Sequence, residues 1–103
     1  MATTQLSATF TLLDVHQAPH GGMILRMRLQ DGDAPSLKAI KSSTLLAEGP
    51  DGESCKLAVE GFAVFGGKAS DSRLARTGRI DVRVRSEDDA APRPGLRWMV
   101  RLT

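Results

Sequence analysis

Residues 23–30 put Met23, Leu25, Met27 and Leu29 on one parity and Ile24, Arg26, Arg28 and Gln30 on the other. A period of two is what a β-strand imposes when one face is buried and the other faces water. The same period returns where Ile80, Val82 and Val84 alternate with Arg79, Asp81, Arg83 and Arg85. It returns again where Leu96, Trp98, Val100 and Leu102 alternate with Arg97, Met99 and Arg101. No window shows the three-to-four-residue apolar spacing of a helical stripe. The chain is therefore expected to be all-β.

The rest of the chain divides around turn chemistry. Residues 8–15 read as a first strand, with Phe10 and Leu12 on one face. Residues 18–22 read as a turn, because Pro19 presets one torsion and Gly21 and Gly22 accept positive φ. Residues 30–36 form a loop, residues 38–40 a short strand and residues 44–47 another. Residues 48–53 contain Asp51-Gly52, which suits the mirror-image turns of two-residue hairpins. A long strand is expected from Ser54 through Val64, with Gly61 marking a bend or bulge in a curving wall. Residues 70–76 could make one helical turn, and residues 86–94 read as a solvated, proline-stiffened loop.

Six or seven short strands at this spacing predict a sandwich or barrel. Closure removes exposed sheet edges in a chain this small. The expected fold is a closed or nearly closed, mainly antiparallel β-barrel spanning 103 residues as one domain, with residues 1–7 as a flexible lead-in.

Cys55 is the sole cysteine, so no internal disulfide can form. It alternates with Leu57 and Val59, which predicts a buried, inert thiol rather than a nucleophile. The first residues lack the basic and apolar regions of a secretory signal. No apolar run approaches the roughly 20 residues needed to cross a bilayer. A reduced, cytoplasmic setting is the expectation. Residues 1–52 carry four basic and five acidic side chains, whereas residues 53–103 carry ten and seven. That asymmetry points to an anionic partner.

The order of these elements resembles the second domain of translation elongation factors such as elongation factor Tu. There, a strand ending in Asp-Val leads into a Pro-Gly turn and a strand that opens with glycine. Here the matching residues are Phe10, Asp14, Val15, Pro19, Gly21 and Gly22. The similarity continues through Ile40-Lys41, the hairpin at Gly49-Pro50-Asp51-Gly52, and Val59 to Phe65. It then passes through Ala75 to Gly78 and closes at Arg93 to Trp98, covering roughly residues 8–102. Two positions depart from the family pattern: Ser42-Ser43 replaces a Gly-Asp, and Thr77-Gly78-Arg79 replaces an Ala-Gly-Asp. The resemblance implies a barrel that binds tRNA ends, ribosomal RNA or protein surfaces. No Gly-x-x-x-x-Gly-Lys-Ser/Thr loop is present, so the chain by itself is not expected to hydrolyse GTP.

The arginines are the main functional candidates, because a planar guanidinium fork binds phosphate through paired hydrogen bonds. Arg73, Arg76 and Arg79 lie on the glycine-rich loop and the start of the fifth strand. Arg83, Arg85, Arg97 and Arg101 extend that surface if the fifth and last strands are neighbours, with Arg26 and Arg28 on the second strand at the same parity. The competing account makes them a solvated outer face interleaved with Asp81. Phe65 and Lys68 are candidates for an apolar anchor and its flank in contact with a partner. Phe10 and Trp98 belong to the apolar parity and are expected in the core. His16 and His20 flank the first turn near Asp14, too few ligands for a metal site. No nucleophile elbow, Cys-x-x-Cys pair or His-Glu-x-x-His run is present, so neither enzymatic activity nor a cofactor is expected. Two functions from different classes remain: an RNA- or ribonucleoprotein-binding barrel, and a protein–protein adaptor using the ridge at residues 62–68.

Overall fold

Pairing along the alternating segments closes on itself. The computed structural model describes residues 8–18, 21–62, 70–87, 90 and 92–102. Its elements are β1 (Thr9–Gln17), β2 (Met23–Asp31), α1 (Leu37–Lys41), β3 (Thr44–Glu48), β4 (Ser54–Phe62), α2 (Asp71–Thr77), β5 (Arg79–Ser86) and β6 (Met99–Leu102). The strands form a closed barrel in the order β1-β2-β5-β4-β3-β6, with every ladder antiparallel. The expected all-β barrel is therefore present, with six strands.

The inward parity is the apolar one. Phe10, Leu12, Leu25, Met27, Leu45, Leu57, Val82, Val84 and Val100 are essentially solvent-free and form one cluster. Burying each large aliphatic or aromatic side chain stabilises the fold by about 1.5–3 kcal/mol, which is why the alternation dictates which face turns inward. Among the described residues, three register shifts interrupt the ladders. One lies between Val59 and Gly61 on β4, at the position expected from Gly61. Another lies between Leu12 and Asp14 on β1, where Leu13 is exposed, and the third lies between Thr9 and Phe10.

The barrel has two unlike ends. At one, α1 joins β2 to β3 and α2 joins β4 to β5, and each helix drives one residue, Ile40 or Leu74, into the core. At the other lie the β1–β2 turn, the β3–β4 hairpin and the segment leading into β6. Trp98 closes that end, packed against Gly49 and Gly95.

Four local expectations are corrected. Residues 38–40 belong to a helix rather than a strand, because Ser36 caps it by accepting from the Ala39 N–H at 3.1 Å. Asp71 of α2 accepts from the Leu37 N–H at 2.7 Å and so ties the two helices together. Second, α2 runs to seven residues, close to two turns, between a Ser70 cap and Gly78. Third, the hairpin is not a two-residue mirror-image turn. Pro50 has no N–H with which to close a two-residue loop at Asp51-Gly52, so a three-residue loop closes with a Gly49 N–H to Glu53 O bond of 2.8 Å, and only Gly52 is left-handed (φ 88°). Fourth, β6 starts at Met99. Residues 95–98 form a turn closed by Trp98 N–H to Gly95 O (3.3 Å), which leaves Leu96 63% exposed despite its apolar parity.

Residues 1–7 lie outside the described residues. Among the described residues, no helix is long and apolar enough to cross a membrane.

Candidate functional site

Strand adjacency sorts the arginines into groups that parity alone does not separate. On the outer face of the β2–β5 wall, Arg26 lies opposite both Asp14 and Asp81. Its Nε donates to Asp81 Oδ1 at 3.1 Å. That hydrogen bond, then the Asp81 charge, raises the Arg26 pKa above its ordinary value, with Asp14 adding a smaller push. The β4 bulge brings Glu60 beside the next two arginines. Glu60 accepts from Arg85 Nε at 3.0 Å and lies 3.8 Å from Arg83 Nε. This part of the wall is a checkerboard of paired charges.

The last strand is not part of it. β6 sits between β1 and β3, so Arg101 points away from the β5 wall and pairs with Glu48 at 2.9 Å. Arg97 lies in the turn before β6 with φ 69°, exposed, and separate from the arginines of β5. The single stripe running from Arg73 through Arg101 is therefore not formed: Arg97 and Arg101 belong to another side of the barrel.

The helix-bearing end is different in character. Arg28 and Arg79 are direct partners across the β2–β5 ladder, both exposed on the outer face. Arg73 and Arg76 lie on α2, just before β5, and are also exposed. Lys38 and Lys41 occupy α1 at the same end. Among the described residues, none of these six cations forms an ion pair. Asp31 ends β2, Asp33 lies in the connection to α1, and Asp71 is engaged with the Leu37 N–H. Among the described residues of α1, α2, the end of β2 with its connection to α1, and the Arg28–Arg79 rung, the excess is cationic, six against three. A phosphate group placed between two such guanidinium groups would relieve their repulsion and accept two-pronged hydrogen bonds.

Other candidates resolve individually. Phe10 and Trp98 are buried, as expected, and Phe62 is half-buried against the core. Phe65 and Lys68 lie outside the described residues, as does His20. His16 Nε2 lies 3.0 Å from Asp14 Oδ2 at the surface. No cluster of three or more metal-ligating side chains occurs among the described residues. Cys55 is 4% exposed, and burial raises its thiol pKa, which removes the reactive thiolate that a nucleophile requires.

Sequence reasoning named Arg73, Arg76 and Arg79 but left Arg28 outside its final set and gave Lys38 and Lys41 no role. Ser36 immediately ahead of Leu37 was the available signal for a capped helix there. Nothing in the sequence pairs Arg28 with Arg79, because that contact depends on β2 lying beside β5. No family model, curated protein or solved structure matches this chain.

Proposed function

We propose that the chain is a non-enzymatic RNA-binding module whose contact surface is the helix-bearing end of the barrel. The resemblance to the translation-factor second domain supports RNA as the partner. The observation that carries the proposal is the facing pair Arg28 and Arg79, with no carboxylate partner among the described residues. Like charges directly opposite one another on a sheet are destabilising, and phosphate oxygens offset that cost. Arg73, Arg76, Lys38 and Lys41 widen the cationic surface.

Among the described residues, the exposed large apolar side chains are Leu13 and Leu96, neither of them aromatic. Base stacking therefore has no platform among the described residues, and contact runs through the phosphate backbone. Binding of this kind tolerates sequence changes and weakens with salt. Arg83, Arg85 and Arg101, each already paired with a carboxylate, contribute less than the unpaired set.

The test is fluorescence anisotropy with a labelled single-stranded RNA, titrated between about 50 and 200 mM salt. Affinity is expected to fall log-linearly with salt, with a slope of roughly −0.7 per neutralised phosphate. The double variant Arg28→Gln/Arg79→Gln is expected to flatten that slope by between roughly one and two. Failure to bind at low salt, or an unchanged slope in the double variant, would overturn the proposal.

A further inference from the structure

A polar concavity lies at the opposite end of the barrel from the unpaired arginines. It is an open pocket of about 180 Å³, whose lining includes Gln17, Gly22, Arg85, Ser86, Arg93 and Pro94. β5 separates the two places, since Arg79 begins it and Arg85 lies near its end. Six residues of strand span roughly 20 Å.

The pocket's chemistry is that of an oxyanion site. Arg85 and Arg93 both line it, joined by the polar side chains of Gln17 and Ser86. Gly21 is adapted to this arrangement. A Cβ there would come within 3.3 Å of an Arg85 terminal nitrogen, and the residue's φ of 94° is one that side-chain-bearing residues rarely adopt. Arg85 is anchored through its Nε to Glu60 Oε2 at 3.0 Å, which fixes the stem of the guanidinium against the turn. Arg93 has no ion pair among the described residues, and Glu60 is shared between Arg85 and Arg83.

Size narrows the ligand. Pockets for drug-sized molecules hold about 300–1,000 Å³, so this one takes a single small group with the rest of its carrier left in solvent. A tetrahedral dianion satisfies two guanidinium groups better than a planar carboxylate, because it offers more acceptor oxygens at a higher charge. We infer that this pocket binds a phosphoryl group, either free phosphate or the phosphate of a small organic ester. The site is separate from the RNA-binding surface and stands whether or not that proposal holds.

The experiment is an amide-resolved NMR titration of the whole chain with inorganic phosphate at low, chloride-matched ionic strength. Glycerol 3-phosphate and acetate serve as parallel arms. Saturable shifts at Gln17, Gly22 and Ser86 are expected with both phosphates. Tighter binding of glycerol 3-phosphate would assign an ester, and tighter binding of inorganic phosphate the free ion. Arg93→Gln, an exposed change that leaves the Glu60 pair intact, is expected to weaken binding about tenfold, the loss of one charge-assisted hydrogen bond. Arg79→Gln, at the far end of β5, is expected to leave the affinity read at Gln17, Gly22 and Ser86 unchanged. Shifts confined to residues 28 and 73–79, equal binding of acetate, or an Arg93→Gln variant that binds like the parent would each overturn the inference.

Discussion

Arg28 and Arg79 sit directly opposite each other on the outer face of the β2–β5 ladder, two cations in register with no carboxylate between them among the described residues. Two residues further along the ladder, on the same face, the equivalent positions are Arg26 and Asp81, joined at 3.1 Å. The same pair of strands thus carries one neutralised rung and one repelling rung.

Replacing Arg79 by Gln should stabilise the free protein by a few tenths of a kcal/mol at low salt, because a like-charge cross-strand pair is removed. The gain should shrink as salt rises, since exposed charges are screened over about 10 Å at 0.1 M. Urea unfolding followed by the single Trp98 at two ionic strengths measures both effects. A loss of stability at low salt would mean that Arg79 is compensated by a group other than the described carboxylates.

Two leucines of opposite fate test the parity rule. Leu25 is fully buried in β2, and its replacement by Ala should cost about 2–5 kcal/mol. Leu96 is 63% exposed, and the same replacement should fall within about 0.5 kcal/mol of the parent. Equilibrium denaturation of the two variants separates them.

Gly49 is required by space. A Cβ there would stand 2.7 Å from Trp98 Cε2, so Gly49→Ala should destabilise by about 1–3 kcal/mol and change the near-ultraviolet circular dichroism of Trp98. Gly52, three residues on in the same hairpin, has open space around its Cβ position. Its substitution by Ala should cost about 1–2 kcal/mol through the left-handed backbone alone and leave the Trp98 signal unchanged.

Arg97 holds a left-handed backbone (φ 69°) without being glycine. Arg97→Gly should remove about 1–2 kcal/mol of strain while adding unfolded-state entropy, for a net gain of about 0.5 kcal/mol. Thermal unfolding measures it, and a net loss would assign the Arg97 side chain a stabilising contact.

Cys55 should resist alkylation at neutral pH in the native protein and react on unfolding. Its folded pKa is raised by burial, so the folded state holds the proton more tightly than the unfolded chain. Stability from this group is fully present below the unfolded value of about 8.5 and declines as pH rises through the interval up to the folded pKa. Cys55→Ala should remove that alkaline decline. Rapid alkylation of the native protein would contradict the burial of the thiol.

Much of the fold was legible because the information is local. Alternation placed Phe10, Leu12, Leu25, Met27, Val82, Val84 and Val100 inside, and Gly61 marked the β4 bulge. Residues 38–40 were misread because a five-residue helix is too short to display a period. Its cap at Ser36 and its tie to Asp71 decide its form, and the second of these crosses 34 positions of sequence. Leu96 was misread because apolar parity continues past the point where the 95–98 turn ends the ladder.

By itself, the sequence determined the strand periodicity, and with it which side chains turn inward, since successive Cβ atoms must point to opposite faces of a strand. The tertiary structure alone decided which outward charges meet. Closure in the order β1-β2-β5-β4-β3-β6 gave Asp81 to Arg26, Glu60 to Arg83 and Arg85, and Glu48 to Arg101, and left Arg28 facing Arg79. Charge pairing acts over a few ångströms in space, and separation along the chain carries no record of that distance.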